Sequence, residues 1–169
     1  MQRYIILLRG VNVGGKNLLP MKPLVSLLEQ QGFQQVVYYI QSGNIVLNSV
    51  TQPCKLISTI IHKNFGFTPN IFALTAPDFL VATKANPYQQ FEGKFVHFYF
   101  CENPIAPNLL KIEQWISATE SYHIEDNVFY LHAPEGIGRS KLVLNIESCL
   151  GQPSTGRNLN TINKITNLL

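Results

Sequence analysis

Twelve residues have the pattern of two β-strands joined by a turn: Val36-Val37-Tyr38-Tyr39-Ile40-Gln41-Ser42-Gly43-Asn44-Ile45-Val46-Leu47. Both apolar runs are rich in β-branched and aromatic residues, which favour strands. Gln41-Ser42-Gly43-Asn44 is typical of a tight turn, because Gly43 and Asn44 tolerate positive φ. The stretch therefore predicts a β-hairpin in the first half of the chain.

The residues around this hairpin predict a strand and a helix on each side. Upstream, Tyr4–Arg9 is a buried strand, and Pro20-Met21-Lys22-Pro23 opens a helix that runs to about Gln31 before Gly32. Downstream, a helical repeat of apolar residues ends at Gly66, and Asn70–Leu74 is a fourth strand. The repeat consists of Leu56, Ile57, Ile60, Ile61 and Phe65. The order β-α-β-β-α-β is the signature of a ferredoxin-like sheet.

The second half of the chain predicts a related but incomplete order, β-α-β-β-α, and a final helix. Its predicted elements are a bridging helix from Pro77 to about Ala85, a strand at 95–100, a helix at 109–116, a hairpin of 123–125 and 128–132, and helices at 140–150 and 159–169. We therefore expect an α+β protein. A ferredoxin-like subdomain at 1–76 and a second α+β subdomain at 77–169 would pack together as one unit.

Composition predicts an ordinary globular protein. Hydrophobic residues make up 46% and charged residues 14% of 169 residues, and the net charge of +3 is too small to indicate bulk nucleic-acid binding. No apolar run approaches the ~18–20 residues that a membrane helix needs. Tyr4–Leu8 is too short for a signal peptide. We expect a cytoplasmic protein with no membrane partner.

Cysteine usage argues against a metal site or a disulfide framework. Cys54, Cys101 and Cys149 are widely spaced and odd in number. We expect three small buried side chains, no metal and no cofactor.

A glycine-rich loop follows the first strand: Arg9-Gly10-Val11-Asn12-Val13-Gly14-Gly15-Lys16-Asn17. Glycines let backbone N–H groups point at an anion, and Arg9 and Lys16 add positive charge. Residues 10–16 also satisfy the P-loop spacing, but Asn17 replaces the metal-ligating hydroxyl and four residues separate Lys16 from the helix. A phosphate-binding loop of another kind and a structural glycine turn both remain open.

Three further loops carry polar or basic residues at the ends of predicted elements. Gln41, Ser42 and Asn44 would present neutral donors at the sheet edge that holds the glycine loop, or would simply form the turn. Gly136-Ile137-Gly138-Arg139-Ser140-Lys141 opens a helix with two cations, an arrangement that suits an anion. Thr155-Gly156-Arg157-Asn158 precedes the last helix, where Asn158 would cap it.

These motifs together resemble the bacterial DUF1697 family, a domain of unknown function. Besides the loops above, the resemblance includes Ala85-Asn86-Pro87 and Tyr130-Leu131-His132, so that it spans nearly the whole chain. It implies an α+β architecture with a ferredoxin-like N-terminal part, and it carries no activity, cofactor or catalytic residue. Family members often have Trp where this chain has Leu159.

The leading functional hypothesis is one anion-binding cleft for a small phosphorylated molecule or a nucleotide. Its predicted residues are Arg9, Asn12, Gly14, Gly15, Lys16, Gln41, Ser42, Asn44, Arg139, Ser140, Lys141, Arg157 and Asn158. A second hypothesis is an enzyme on a phosphorylated or carboxylate substrate, in which Lys16 or Lys141 stabilises developing negative charge. No catalytic base is evident.

A third hypothesis is a nucleic-acid or protein interaction module that uses its sheet face. Ferredoxin-like sheets stack bases on exposed aromatic side chains. The candidates for stacking are Tyr38, Tyr39, Phe98, Tyr99 and Phe100.

Overall fold

Each half of the chain builds a four-stranded antiparallel sheet in the computed structural model, which describes residues 1–169. The chain divides into a first unit, Met1–Val81 with Lys164–Leu169, and a second unit, Ala82–Asn163. No helix combines the length and the apolar character that crossing a bilayer requires.

The first unit has the predicted ferredoxin-like order. Its elements are β1 (Gln2–Arg9), α1 (Met21–Gln30), β2 (Gln34–Tyr39), β3 (Asn44–Ser49), α2 (Cys54–Phe65) and β4 (Asn70–Thr75), and α3 (Ala76–Lys84) follows them. The strands lie in the order β2-β3-β1-β4, and every neighbouring pair is antiparallel. The α+β class and this topology are confirmed.

The core of the first unit lies between its sheet and α1 and α2. Residues at alternating strand positions, such as Ile6 and Leu8 of β1, share one hydrophobic cluster with Leu24 of α1 and Ile57 of α2. Pro20 and Pro23 favour the start of α1, because first-turn N–H groups have no intrahelical partner. The helical apolar face therefore fixes α1 and α2 on one side of the sheet.

The second unit repeats this topology in full. Its elements are β5 (Val96–Cys101), α4 (Leu109–Trp115), β6 (Ser121–Glu125), β7 (Val128–His132), α5 (Lys141–Leu144), α6 (Ile146–Leu150) and β8 (Ser154–Asn158). The last helix, α7 (Leu159–Thr166), begins in the second unit and ends in the first. The strand order β6-β7-β5-β8 is that of the first sheet.

Two expectations for this half were wrong in detail. The half is not an incomplete βαββα: residues 154–158 form the fourth strand, pairing with β5 from Cys101↔Ser154 to His97↔Asn158. Gly156 lets the edge strand pass the Tyr99 ring, since a Cβ there would lie 2.8 Å from a ring carbon. The single helix expected at 140–150 is broken at Asn145, whose φ of −110° and ψ of 15° separate α5 from α6.

The aromatic strand β5 is buried on both faces. Tyr99 belongs to the cluster that packs under α4, α5 and α6, and Phe98 and Phe100 on the other face are fully buried as well. These three rings are inaccessible to nucleobases, which contradicts the sheet-face hypothesis at these positions. Tyr38 and Tyr39 are half-buried.

Candidate functional site

The glycine loop of the first unit is a small β-hairpin. Val13 and Lys16 form a bridge in which the Lys16 N–H donates to the Val13 carbonyl at 3.1 Å. Gly14 and Gly15 between them have φ of 59° and 72°, as the tight two-residue turn of a hairpin requires. Because α1 begins only at Met21, the loop lacks the P-loop arrangement, in which Lys opens the helix.

The Asn12 side chain links this hairpin to two neighbouring backbone segments. Its amide nitrogen donates to the carbonyls of Leu19 at 2.9 Å and Gln41 at 2.6 Å, while its oxygen accepts from the Leu19 N–H at 2.7 Å. Asn12 therefore holds the loop in place through three hydrogen bonds to the backbone.

The turn between β2 and β3 lies against the glycine hairpin. The Leu8 N–H donates to the Gly43 carbonyl at 2.8 Å, and Asn12 reaches Gln41 across the same edge. Asn44 is buried and its amide donates to the Tyr39 carbonyl at 3.1 Å and the Ser42 hydroxyl at 2.9 Å. Asn12 and Asn44 thus shape this edge.

The surface of this edge is basic. Lys16, Gln41 and Ser42 are exposed, and Arg9 is half-buried. The first unit carries seven Lys and Arg residues against two acidic residues, Glu29 and Asp78, whereas the second unit carries six against eight. Counting side chains, the charge is +5 on the first unit and −2 on the second. The positive charge of the protein is concentrated in the unit that holds the glycine hairpin.

The second unit holds a cavity of about 870 Å³. One wall is the end of α4 and the segment that follows it, and the other wall is the loop before α5. The lining residues are Gln114, Trp115, Ile116, Ser117, Thr119, Glu120, Glu135, Gly136, Gly138, Arg139, Ser140 and Lys141. The predicted cluster Arg139-Ser140-Lys141 therefore lies in a cavity of ligand size.

The two walls of the cavity are ordered by local hydrogen bonds. The Ser140 hydroxyl caps α5 by accepting from the Val143 N–H at 3.1 Å. On the opposite wall, the Glu120 carboxylate accepts from the Ser117 N–H at 3.1 Å, and the hydroxyls of Ser117 and Thr119 are 3.2 Å apart. Arg139 and Lys141 are exposed. The cavity thus combines two cations and two carboxylates on ordered loops.

Arg157 and Asn158 do not line this cavity. Asn158 caps α7, as predicted, by accepting from the Thr161 N–H at 2.9 Å. The Arg157 guanidinium donates to the Thr155 hydroxyl and the Gly156 carbonyl, both at 2.8 Å, and burial lowers the pKa of Arg157 to about 10. Both side chains are engaged at the edge strand β8. Whether all the predicted loops share one cleft stays a prediction.

Comparison with known proteins places the chain in a family. A family model described as a protein of unknown function (DUF1697) matches residues 1–130. The chain belongs to the DUF1697 family. The solved structure of the conserved bacterial protein SP0830 from Streptococcus pneumoniae covers 99% of this chain and 98% of its own, with 24% identity and a TM-score of 0.72. That likeness shows the fold. No match was found among curated proteins.

Of the twelve residues that line the cavity of this DUF1697 chain, the predicted site included three, Arg139, Ser140 and Lys141. Trp115, Ser117 and Glu120 were not predicted, because only the fold brings their segment to the Arg139 loop; Glu135, which directly precedes that loop, was not predicted either. The one available signal was Trp115, because it is the single tryptophan of the chain and ends a predicted helix.

The second unit of this DUF1697 protein also has a smaller cavity. Leu159 is buried and lines this smaller cavity of about 230 Å³. No group of three or more His, Cys, Asp or Glu side chains is arranged to hold a metal ion.

Proposed function

We propose that this DUF1697 protein binds a small phosphorylated molecule, and that Arg139 and Lys141 hold its anionic group in the cavity of the second unit. The observation that carries the proposal is that the cationic loop selected from sequence lines a cavity of about 870 Å³. Small-molecule sites are typically clefts of ~300–1,000 Å³ with a few convergent polar groups.

The two cations differ in what they offer an anion. Arg139 presents a planar guanidinium that can bind two phosphate oxygens at once, whereas Lys141 supplies a point charge on a flexible stem. Both side chains are exposed, so a ligand in the cavity can reach them. Because α5 has only four residues, the attraction comes from the side chains and not from a helix dipole.

A thermal-shift screen tests this proposal. The probes are inorganic phosphate, pyrophosphate, sugar phosphates, nucleotides and short oligonucleotides. A ligand that binds only the folded protein adds about 2.7 kcal/mol to the free energy of unfolding when its concentration is ~100 times its Kd. We expect at least one phosphorylated probe to raise Tm in the wild type and not in Arg139→Ala/Lys141→Ala.

Lys94→Ala is the matched control, because Lys94 is an exposed cation of the same unit outside the cavity. It should keep the full shift. The same shift in the Arg139→Ala/Lys141→Ala variant would remove both cations from the site. An added Arg9→Ala variant tests whether the glycine hairpin contributes, as the sequence predicted.

Nucleic-acid binding by the first unit is a second candidate function, and the charge of +5 on that unit favours it. The contact would run through Lys16 and Arg9 rather than through the aromatic strand β5. Binding of a single-stranded RNA 20-mer, followed by fluorescence anisotropy, should weaken steeply with salt. Lys16→Ala should lower the log–log salt slope by about 0.7 for one lost phosphate contact. Salt-insensitive binding would contradict this candidate.

A further inference from the structure

We infer that the ligand of the second-unit cavity is a monophosphorylated sugar, with its phosphate on Arg139 and Lys141, its hydroxyls on Glu120 and Glu135, and its ring against Trp115. The inference rests on the proposed function, since it names the ligand class of the same cavity.

The charge balance of the cavity argues against a polyanion. Two carboxylates face the same space as the two cations, so the lining is neutral overall. A nucleoside triphosphate or an oligonucleotide would bring several negative charges close to Glu120 and Glu135, and like charges repel. A ligand with a single phosphate and otherwise neutral groups avoids this repulsion.

The carboxylates need hydrogen-bond donors as partners. An ionised carboxylate only accepts hydrogen bonds and has room for about four of them. Glu120 receives one from the Ser117 N–H, at 3.1 Å. Glu120 and Glu135 lie on opposite walls, and Ser117 and Thr119 add hydroxyl groups to one of them. Sugar hydroxyls point outward in several directions and so suit acceptors on two walls, whereas the donors of a nucleobase lie along one edge.

Trp115 supplies the apolar surface that a sugar ring needs. Its ring packs against the core cluster of the second unit, which contains Ile112 and Leu142, and it also lines the cavity. An indole supported from one side in this way is a rigid, flat wall with a large apolar area. The volume of about 870 Å³ also exceeds what inorganic phosphate alone would fill.

Trp115 also gives the test its readout, because it is the only tryptophan and its fluorescence reports on the cavity directly. The wild type is titrated with glucose 6-phosphate, mannose 6-phosphate, fructose 6-phosphate, ribose 5-phosphate and glucosamine 6-phosphate. Inorganic phosphate, free glucose, AMP and GMP are the comparison probes. We expect at least one sugar phosphate to change the emission at a concentration tenfold or more below that needed for any comparison probe.

Glu135→Ala separates a hydroxyl-binding role from simple electrostatics. Loss of charge-assisted hydrogen bonds costs ~1.5–3 kcal/mol, so the sugar phosphate should bind about 10- to 150-fold more weakly. Inorganic phosphate should bind as well or better, because one negative charge has gone. Glu113→Ala is the matched control, since Glu113 is exposed on α4 and does not line the cavity.

Three results would overturn the sugar-phosphate assignment. In the first, AMP or GMP binds most tightly; in the second, inorganic phosphate binds as tightly as every sugar phosphate; in the third, Glu135→Ala tightens sugar phosphate binding. If AMP, GMP or inorganic phosphate binds and its binding still requires Arg139 and Lys141, the proposed function holds while the sugar-phosphate assignment fails. If no phosphorylated probe changes the emission or Tm, the proposed function and this inference fail together.

Discussion

Gly43→Ala should destabilise the first unit more than a glycine-to-alanine substitution that adds backbone strain alone. A Cβ at Gly43 would lie 2.7 Å from the Leu8 Cβ and 2.8 Å from a methyl carbon of Val11. Gly43 also has a φ of +83°, in the left-handed region that favours glycine. The substitution therefore adds a steric clash with β1 to a backbone strain, at the point where the turn meets the glycine hairpin.

Both contributions have known sizes. Placing a non-glycine residue in the left-handed conformation costs ~1–2 kcal/mol. Forcing an extra methyl group into a packed site costs a further ~1–3 kcal/mol, because side chains and backbone have to shift. We expect a total loss of about 2–5 kcal/mol, which corresponds to a fall in Tm of about 5–15 °C for a chain of this length.

Gly66→Ala is the matched control for Gly43→Ala. Gly66 has nearly the same φ, +80°, but no atom lies within 4 Å of the position that a Cβ would take, so only the backbone strain changes. Urea unfolding of both variants and the wild type measures the difference, which should be ~1–3 kcal/mol. Equal losses in the two variants would show that the contact with Leu8 and Val11 does not limit this turn.

Four further substitutions test single hydrogen-bonded or titrating side chains. Asn12→Ala should lower the free energy of unfolding by about 2–4 kcal/mol, because three hydrogen bonds to the backbone are lost; a loss under about 1 kcal/mol in urea unfolding would contradict its structural role. Tyr130→Phe should lower the free energy of unfolding by about 1–2 kcal/mol, since the buried Tyr130 hydroxyl donates to the Ala82 carbonyl at 2.6 Å. An unchanged midpoint of urea unfolding would show that this hydrogen bond does not stabilise the fold. Burial lowers the pKa of His97, so the unfolded chain takes up the proton first and stability should fall as the pH drops below about 6.5. His97→Gln should flatten that part of the Tm–pH profile, and an unaltered profile would assign the fall to other groups. Burial raises the pKa of Cys101 from 9.0 to about 11, so stability should fall as the pH rises across that interval, and less so in Cys101→Ala when Tm is followed from pH 8 to 11.

The fold of the first unit could be predicted because its signals are local. The turn at Gln41–Asn44 and the glycine stops at Gly32 and Gly66 mark element ends, and between them the period of apolar residues distinguishes strands from helices. The ferredoxin-like order follows from those ends alone. Strand β8 was missed for the opposite reason. Ser154-Thr155-Gly156-Arg157-Asn158 has no apolar alternation, and it is a strand because β5 offers it a free edge and Gly156 clears Tyr99.

The candidate site was predictable only in part, because the cavity is formed by segments that are brought together by the tertiary structure. The Arg139-Ser140-Lys141 loop was visible as a basic segment at a helix start. Trp115 and Glu135 lie twenty positions apart, and no spacing rule connects the end of α4 to the loop before α5. A loop carboxylate such as Glu135 cannot be assigned to a cavity from the sequence, because the opposite wall is known only from the fold.

The glycine loop shows how a strong motif can be explained by the backbone it builds. Its glycine and asparagine content suggested anion binding, but Gly14 and Gly15 supply the positive φ of a two-residue turn, and the Asn12 amide is occupied by Leu19 and Gln41. Lys16 is not needed for that geometry and is exposed. Its charge is therefore the part of the motif that the fold does not explain, and it is the residue on which a binding role for this hairpin has to be tested.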